Sequence, residues 1–187
     1  MTDPPIRTAR LELPALTVAQ YDRLMAGDRE AVGRELHAGI GEAWLADAAW
    51  LIGLRRRQIE EHPDHRPWLI RPIIRREPDA AREVIGYVNF HAPPDDQGIA
   101  EIGYALLPAW RGRGYAIEAV AGALAWALED PRVRTLRASV APDNDASRRL
   151  VARLGFVQTG EQWDPEDGLE LVHDIDRDAF AARVTAG

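Results

Sequence analysis

The chain has 187 residues, 46% of them hydrophobic and 28% charged, and a formal net charge of −7 at pH 7. It contains no cysteine, which excludes a disulfide, a thiolate nucleophile and a cysteine-bound zinc ion. All 23 basic residues are arginine, and a chain without lysine can form neither a Schiff base nor a P-loop.

The size and charge of the chain also limit its organisation and its partners. The length favours a single domain over residues 1–187. The negative charge disfavours nucleic acid as a partner and suits a cationic partner such as an amine. No apolar run approaches the ~18 residues of a membrane span, and no apolar signal region is present, so we expect no membrane partner and a cytoplasmic location. The five histidines show no spacing typical of a metal site, and we expect no metal.

Apolar periodicity predicts the elements of the N-terminal half of the chain. Trp44, Ala48 and Leu51 belong to an apolar set that recurs at the helical period and predicts one long helix. Two later segments are rich in β-branched and aromatic residues, which is typical of strands. The predicted elements are, in chain order, a strand over 10–16, helices over 17–25, 28–37 and 42–61, and strands over 68–74 and 83–90.

The C-terminal half alternates strands and helices. Asn144 is a typical helix N-cap and Gly155 a typical helix stop, so they bound one of these helices. The order of elements predicts a mixed α/β fold with an antiparallel meander in its middle, which argues against a doubly wound dinucleotide-binding fold. The predicted elements are a strand over 100–107, a helix over 114–128, a strand over 135–140, a helix over 144–154, and strands over 156–162 and 169–175.

A turn containing Gly112 and Gly114 joins a predicted strand to a predicted helix. Glycine allows unusual backbone dihedrals and a close approach to a ligand. The first N–H groups of the helix have no intrahelical partner, and the positive end of the helix dipole favours a phosphate there. Arg111 and Arg113 add charge and forked donors. A Rossmann turn is not indicated, because Ile117 stands where that motif requires a third glycine.

This segment resembles the Arg/Gln-x-x-Gly-x-Gly/Ala signature of the GCN5-related N-acetyltransferase (GNAT) superfamily, filled here by Arg111, Gly114 and Ala116. The flanking sequences AEIGYALLP and YAIEA resemble the Rim-type branch, which acetylates ribosomal-protein N termini and many other amines. Downstream, Asn144-x-x-Ser147 followed by LVARLGF is similar to the second motif of that branch. Two motifs in this order and spacing are far more specific than either motif alone.

The resemblance is strong over residues 83–158 and implies a GNAT-like α/β fold. Such a fold has a central, mostly antiparallel twisted sheet of about seven strands, with helices on both faces and a splay between strands 4 and 5. The resemblance also implies acetyl-CoA as cosubstrate. The acetyl group would pass directly to a primary amine, either a protein N-terminal α-amine or a small molecule, without a covalent enzyme intermediate.

The resemblance further implies which residues hold the cosubstrate. The pyrophosphate of CoA would rest on the turn and the start of its helix. A backbone N–H near Leu106 would polarise the thioester carbonyl. Asn144 would cap its helix and contact the pantetheine. The expected pyrophosphate residues are Arg111, Gly112, Arg113, Gly114, Tyr115 and Ala116, and the expected pantetheine residues on the preceding strand are Tyr104, Ala105 and Leu106.

Direct transfer requires a base, because only a neutral amine attacks the thioester. We expect Glu101 to act as the base, directly or through water, unless it only orients the substrate or bonds to the backbone. His91 is the alternative base. Many relatives use a tyrosine acid at the position that Val151 occupies here, so Ser147 is the candidate acid, unless it only bonds to the cofactor.

The acceptor is expected between the N-terminal helices and the last hairpin. His91 and Trp163 are the predicted substrate-binding residues, although the DPEDG sequence after Trp163 is also that of an ordinary turn. Glu118 has a plain explanation at a helix start and is assigned no chemistry. The residues expected to line the acceptor site are Trp44, Trp50, Trp163, Asp164, Glu166 and Asp167.

A second interpretation is a catalytically inactive acyl-CoA-binding or interaction module with the same fold. The presence of Glu101 and Ser147 argues against this alternative. Dimers are common in the Rim-type branch, so a homodimer is compatible with the resemblance. The sequence leaves the acceptor and the acyl chain length open.

Overall fold

The computed structural model of the chain describes residues 3–78, 80–165 and 168–185. The chain divides into two compact units, which we call unit 1 (1–89 and 104–122) and unit 2 (90–103 and 123–187). The chain passes from one unit to the other three times, within two strands and within one helix. Each unit is therefore built from two separate segments of the sequence.

Unit 1 contains most of the N-terminal elements. A short 3₁₀ helix, Pro63–Trp68, occupies the start of the region predicted as a strand over 68–74, so that prediction is wrong for residues 68–70. Two prolines in this segment favour the tight turn. The elements are β1 (Ile6–Arg7), β2 (Leu11–Leu13), α1 (Val18–Met25), α2 (Arg29–Leu36), α3 (Glu42–Glu61), β3 (Arg71–Arg75) and β4 (Glu83–Phe90).

The helices of unit 1 begin where the sequence provides caps. Thr17 and Gln20 form a reciprocal capping box at the start of α1, and the Asp28 side chain accepts the Ala31 N–H at the start of α2. Trp44 on α3 is completely buried in the core, and its Nε1 donates to the Gly86 carbonyl at 2.9 Å. This bond connects α3 to the middle of β4.

A strand and a helix continue the chain across the division. They are β5 (Ile99–Leu106) and, after a 3₁₀ turn at Pro108–Trp110, α4 (Tyr115–Ala127). The remaining elements belong to unit 2. They are β6 (Thr135–Val140), α5 (Asp145–Leu154), β7 (Val157–Asp164), β8 (Gly168–Asp176) and α6 (Arg177–Thr185).

The strands form one open mixed sheet in the order β1-β2-β3-β4-β5-β6-β8-β7. Three pairs in unit 1 and two in unit 2 are antiparallel, whereas β5 and β6 are parallel. The predicted α/β class with a mostly antiparallel sheet is confirmed. The eight strands found in the described parts of the chain are one more than the seven expected, because β1 was not predicted.

The pairing of β5 with β6 is short. It runs from Ile99↔Thr135 to Glu101↔Arg137, although both strands continue beyond these residues. β6 remains paired with β8 up to Val140. These strands are the fourth and fifth of those predicted from the sequence. Their pairing covers only three residues of each strand in the described parts of the chain.

Candidate active site

The glycine turn of residues 111–114 is exposed and leads directly into α4. Gly112 and Gly114 have φ values of +74° and +80°, which side chains other than glycine rarely adopt. The first bond of the helical ladder runs from the Glu118 N–H to the Gly114 carbonyl at 3.2 Å. The N–H groups at the start of α4 precede this bond and have no acceptor within the helix, an arrangement that suits an anion.

Several guanidinium groups surround the turn within unit 1. Arg75 and Arg113 lie over the Trp110 ring, at 4.6 and 5.0 Å from its centre. The Arg111 Nε donates to the Leu106 carbonyl at 3.0 Å and so connects the turn to the end of β5. Sequence reasoning assigned Arg111 and Arg113 to this site but missed Arg75 and Trp110. The cation–π contacts that recruit them are not visible in the sequence.

The Glu118 carboxylate binds the N-terminal segment of the chain beside the glycine turn. The Glu118 carboxylate accepts hydrogen bonds from the Thr8 hydroxyl at 2.6 Å and from the Arg10 backbone N–H at 2.7 Å. The Arg10 guanidinium also binds Glu118 and donates to the Arg113 carbonyl. Burial acts to raise the pKa of Glu118, but these hydrogen bonds outweigh it and lower the pKa. Glu118 therefore has a structural partner in addition to its favourable position at a helix start.

The end of β5 lies unusually close to β4. A Cβ atom added at Gly86 would lie 2.2 Å from the Ala105 carbonyl oxygen and 3.0 Å from the Leu106 Cα. Only glycine fits this position without moving backbone atoms. The predicted pantetheine residues Tyr104, Ala105 and Leu106 thus belong to a strand whose position depends on Gly86.

The candidate base lies in unit 2 within a group of polar side chains. The Glu101 Oε1 accepts a hydrogen bond from the Ser139 hydroxyl at 2.5 Å. The Glu101 Oε2 lies 3.8 Å from the His91 Nδ1, and the backbone N–H of His91 donates to the Glu101 carbonyl at 3.0 Å. Both candidate bases are therefore neighbours, with Glu101 20% and His91 50% exposed.

The same face of the unit 2 sheet carries an ion pair beside Glu101. Arg137 binds Asp174 through two hydrogen bonds at 2.8 and 2.9 Å, and Thr159 donates to the same carboxylate. Burial acts to raise the pKa of Asp174, but the bonds from Arg137 and Thr159 lower it. The hydrogen bond to Asp174 raises the pKa of Arg137. The pair holds the positive charge of Arg137 beside Glu101, because Arg137 on β6 is the register partner of Glu101 on β5.

The candidate acid and its neighbour lie at the start of α5. The Asn144 side chain accepts the Ser147 backbone N–H at 3.1 Å, so the predicted capping role of Asn144 is confirmed. Ser147 is half-buried and Asn144 is exposed, whereas Val151 is buried. The helix ends at Gly155 in a left-handed conformation, as predicted.

The residues expected to line the acceptor site have different surroundings. Trp163 is 75% exposed and pairs across the hairpin with Leu169, which is also exposed. Trp50 is exposed, whereas Trp44 is completely buried, so the expectation that Trp44 lines the acceptor site is wrong. Asp164 is half-buried at the end of β7. Glu166 and Asp167 lie outside the described residues.

Within residues 3–78, 80–165 and 168–185, no helix combines the length and hydropathy needed to cross a membrane. Nor does any group of three or more His, Cys, Asp or Glu side chains within those ranges have an arrangement that could hold a metal ion.

A positive-φ glycine turn at a helix start, with arginines around it, has the geometry and charge that suit a phosphate-bearing ligand. Residues 10–157 match the family model of the acetyltransferase (GNAT) domain. The chain belongs to the GNAT acetyltransferase family. Its resemblance to Rim-type enzymes is confirmed by a uS5-alanine N-acetyltransferase and a RimL structure among the similar proteins.

Three similar proteins illustrate the range of the family. The uncharacterized N-acetyltransferase YjdG of Bacillus subtilis (strain 168) is 35% identical over 152 residues, which are 81% of this chain and 89% of that protein. The ribosomal protein uS5-alanine N-acetyltransferase of Escherichia coli (strain K12) is 31% identical over 85 residues, 45% of this chain and 43% of that enzyme. A ribosomal L7/L12 α-N-protein acetyltransferase (RimL) solved with coenzyme A is 16% identical, with a TM-score of 0.62 and coverage of 94% of this chain and 99% of that one.

The chain is accordingly an acetyl-CoA-dependent acyltransferase. The residues of the turn fit this cosubstrate. The turn is exposed, and apart from Gly112 and its two chain neighbours no described residue has an atom within 4 Å of the place where a Gly112 side chain would begin. Arg111 and Arg113 provide the positive charge that a pyrophosphate requires.

Proposed function

We propose that the enzyme transfers the acetyl group of acetyl-CoA to a primary amine by direct attack of the amine on the thioester. The observation that carries this proposal is the placement of Glu101. Its carboxylate is largely buried, is held through one oxygen by Ser139, and has its second oxygen toward His91. A carboxylate with one oxygen fixed and the other available is suited to accept a proton from a bound ammonium.

The chemistry requires the acceptor to lose two protons. The ammonium first gives one proton to Glu101, directly or through a water molecule, and the neutral nitrogen attacks the thioester carbonyl carbon. The carbon–sulfur bond then breaks, the nitrogen loses its second proton, and the sulfur leaves as a thiol. Acetyl-CoA supplies the activated acetyl group, and the net products are an amide, CoA and one proton.

Residues of β5, the turn and α5 support the other parts of this reaction. The turn residues Arg111–Ala116 would hold the pyrophosphate, and Tyr104, Ala105 and Leu106 would pair with the pantetheine. A backbone N–H near Leu106 would stabilise the negative charge that develops on the carbonyl oxygen. Ser147 would donate a proton to the sulfur, and Asn144 would contact the pantetheine.

The acceptor classes follow from the relatives and from the charge of the chain. The E. coli relative is an alanine N-acetyltransferase of ribosomal protein uS5, which suggests a protein α-amine as the acceptor. The net charge of −7 also suits small cationic amines. The exposed Trp163 and His91 offer an aromatic surface and a polar side chain to either acceptor.

The release of the CoA thiol tests this proposal. We would mix acetyl-CoA with peptide amides beginning with Ala or Ser, with spermine and with an aminoglycoside, and confirm each product by mass spectrometry. We expect at least one amine to accelerate CoA release and to gain 42 Da, about the mass of an acetyl group replacing a hydrogen. Tight acetyl-CoA binding with no acylated amine would favour the alternative of an inactive acyl-CoA-binding module.

A further inference from the structure

We propose that Ser139 is a positioning residue for Glu101, and that Gln162 and Glu170 fix the direction of the hydrogen bond that Ser139 donates. The inference rests on the proposed role of Glu101 as the base. It deepens that role by identifying which carboxylate oxygen receives the proton. None of these three residues was assigned a function from the sequence.

The strand register brings the four side chains to one face of the unit 2 sheet. Glu101 pairs with Arg137 on β6, and Ser139 lies two residues further along that strand, on the same face. The antiparallel pairing of β6 with β8 places Glu170 on this face as well, and Glu170 pairs directly with Gln162 on β7. The four residues form a continuous hydrogen-bonded chain across these strands.

The direction of each hydrogen bond in this chain follows from the chemistry of its members. An ionised carboxylate only accepts hydrogen bonds, so Glu170, 2.9 Å from Gln162, requires the amide nitrogen of Gln162 on its side. The same nitrogen lies 3.1 Å from the Ser139 Oγ and donates to it. The Ser139 hydrogen therefore cannot point toward Gln162. Its remaining acceptor is the Glu101 Oε1 at 2.5 Å.

This arrangement makes the two oxygens of Glu101 different. Oε1 is occupied by Ser139, whereas Oε2 faces His91 at 3.8 Å and is the oxygen to which a proton is delivered. A glutamate side chain has several rotatable bonds, and the bond from Ser139 reduces the conformers available to it. Ser139 thus keeps Oε2 in the orientation that the reaction requires.

Steady-state kinetics with the most active amine of the panel above test the proposal. We expect Ser139→Ala to lower kcat about 10-fold while the KM for acetyl-CoA stays unchanged, since the substitution loosens the base and leaves the turn intact. Ser139→Thr keeps the hydroxyl in a strand-compatible side chain and should restore most of the rate. Gln162→Ala should lower kcat by a smaller factor.

A matched control separates positioning from a general effect of the sheet face. Thr135→Ala removes a hydroxyl from the same face of β6, outside the hydrogen-bonded chain of Ser139, and should leave kcat unchanged. In the Glu101→Gln background, Ser139→Ala should cause no further loss, because both substitutions act through one carboxylate. Additive losses, or equal losses in Ser139→Ala and Ser139→Thr, would contradict the proposal.

Crystal structures of the wild-type protein and the Ser139→Ala variant give a readout that needs no acceptor. We expect one Glu101 conformer in the wild type, with Oε1 bonded to Ser139, and several conformers or a rotated carboxylate in the variant. An unchanged Glu101 in the variant overturns the proposal. If Glu101→Gln itself retains full activity, the base assignment fails and the inference falls with it, whereas a slow Glu101→Gln beside a normal Ser139→Ala overturns the positioning role alone.

Discussion

At the start of α4, the Glu118 carboxylate binds residues that precede it by 108 and 110 positions. These residues are Arg10 and Thr8, and Arg10 continues to the Arg113 carbonyl in the glycine turn. The turn is therefore attached to the N-terminal segment through side chains. The position of Glu118 at a helix start explains why an acidic residue is favourable there, but it does not predict the bonds to Thr8 and Arg10.

We predict that Glu118→Gln destabilises the protein by about 2 kcal/mol at pH 7, since the charged hydrogen bonds to Thr8 and Arg10 are lost or weakened. Urea unfolding measures this change in the free energy of unfolding. Asp47→Asn is the control, because Asp47 is an exposed carboxylate on α3. It should change the stability by no more than about 0.5 kcal/mol.

The pH dependence of that difference has a defined sign. The pKa of Glu118 is lowered in the folded protein, so its contribution is complete above the ordinary glutamate value of about 4.3 and is lost as the pH falls through the lower folded value. The gap between wild type and Glu118→Gln should therefore narrow below about pH 4.3. A gap that stays constant through the acid range would show that the carboxylate charge is not responsible.

Residue identity alone predicted part of the candidate site. The turn glycines and Asn144 were found from the sequence because their backbone roles are local. The bond between Glu101 and Ser139 joins residues 38 positions apart, and it depends on a strand register that no local pattern encodes. Ser139 was therefore predicted only as part of a strand.

Among the elements, the close approach of β4 to the end of β5 depends on the absence of a side chain at Gly86. The Cβ of an alanine at 86 would lie 2.2 Å from a backbone oxygen, and strands cannot separate without loss of packing. Gly53 on α3 is a useful contrast. Its added Cβ would meet only the flexible end of Arg57, at 3.8 Å.

We predict opposite effects for these two glycine substitutions. Gly86→Ala should destabilise the protein by about 3 kcal/mol or more through overpacking. Gly53→Ala should stabilise it by up to about 1 kcal/mol, because alanine is the better helix former. Thermal unfolding of both variants checks the pair, and a stable Gly86→Ala would mean that β4 and the end of β5 are further apart than described.

Most elements were predictable because their signals are local. The helix over 42–61 and the strands over 83–90 and 135–140 have the predicted bounds, since periodicity and turn residues define them. α6 and β1 were missed. Among the α6 residues whose burial is described, 177–183, Phe180 is the buried one, and β1 is two residues whose strand form depends on pairing with β2.

At the scale of the whole chain, the hydrogen-bonded chain from Glu101 to Glu170 extends across the end of the family match. The matched segment ends at residue 157, whereas Gln162 and Glu170 lie beyond it on β7 and β8. The matched region carries the turn and the candidate base. We propose that the final hairpin, with its exposed Trp163, contributes to acceptor specificity. The single domain expected from the length stays a prediction.

The central claim is that Glu101 takes the proton from an attacking amine. The most direct test is the initial rate of CoA release, with saturating acetyl-CoA and the best amine of the panel, for wild type, Glu101→Gln and Glu129→Gln. Glu129 is an exposed carboxylate just after α4 and serves as the matched control. We predict a loss of about 10²-fold or more for Glu101→Gln and no loss for Glu129→Gln. A Glu101→Gln enzyme that works at the wild-type rate would contradict the account and transfer the base role to His91 or to water.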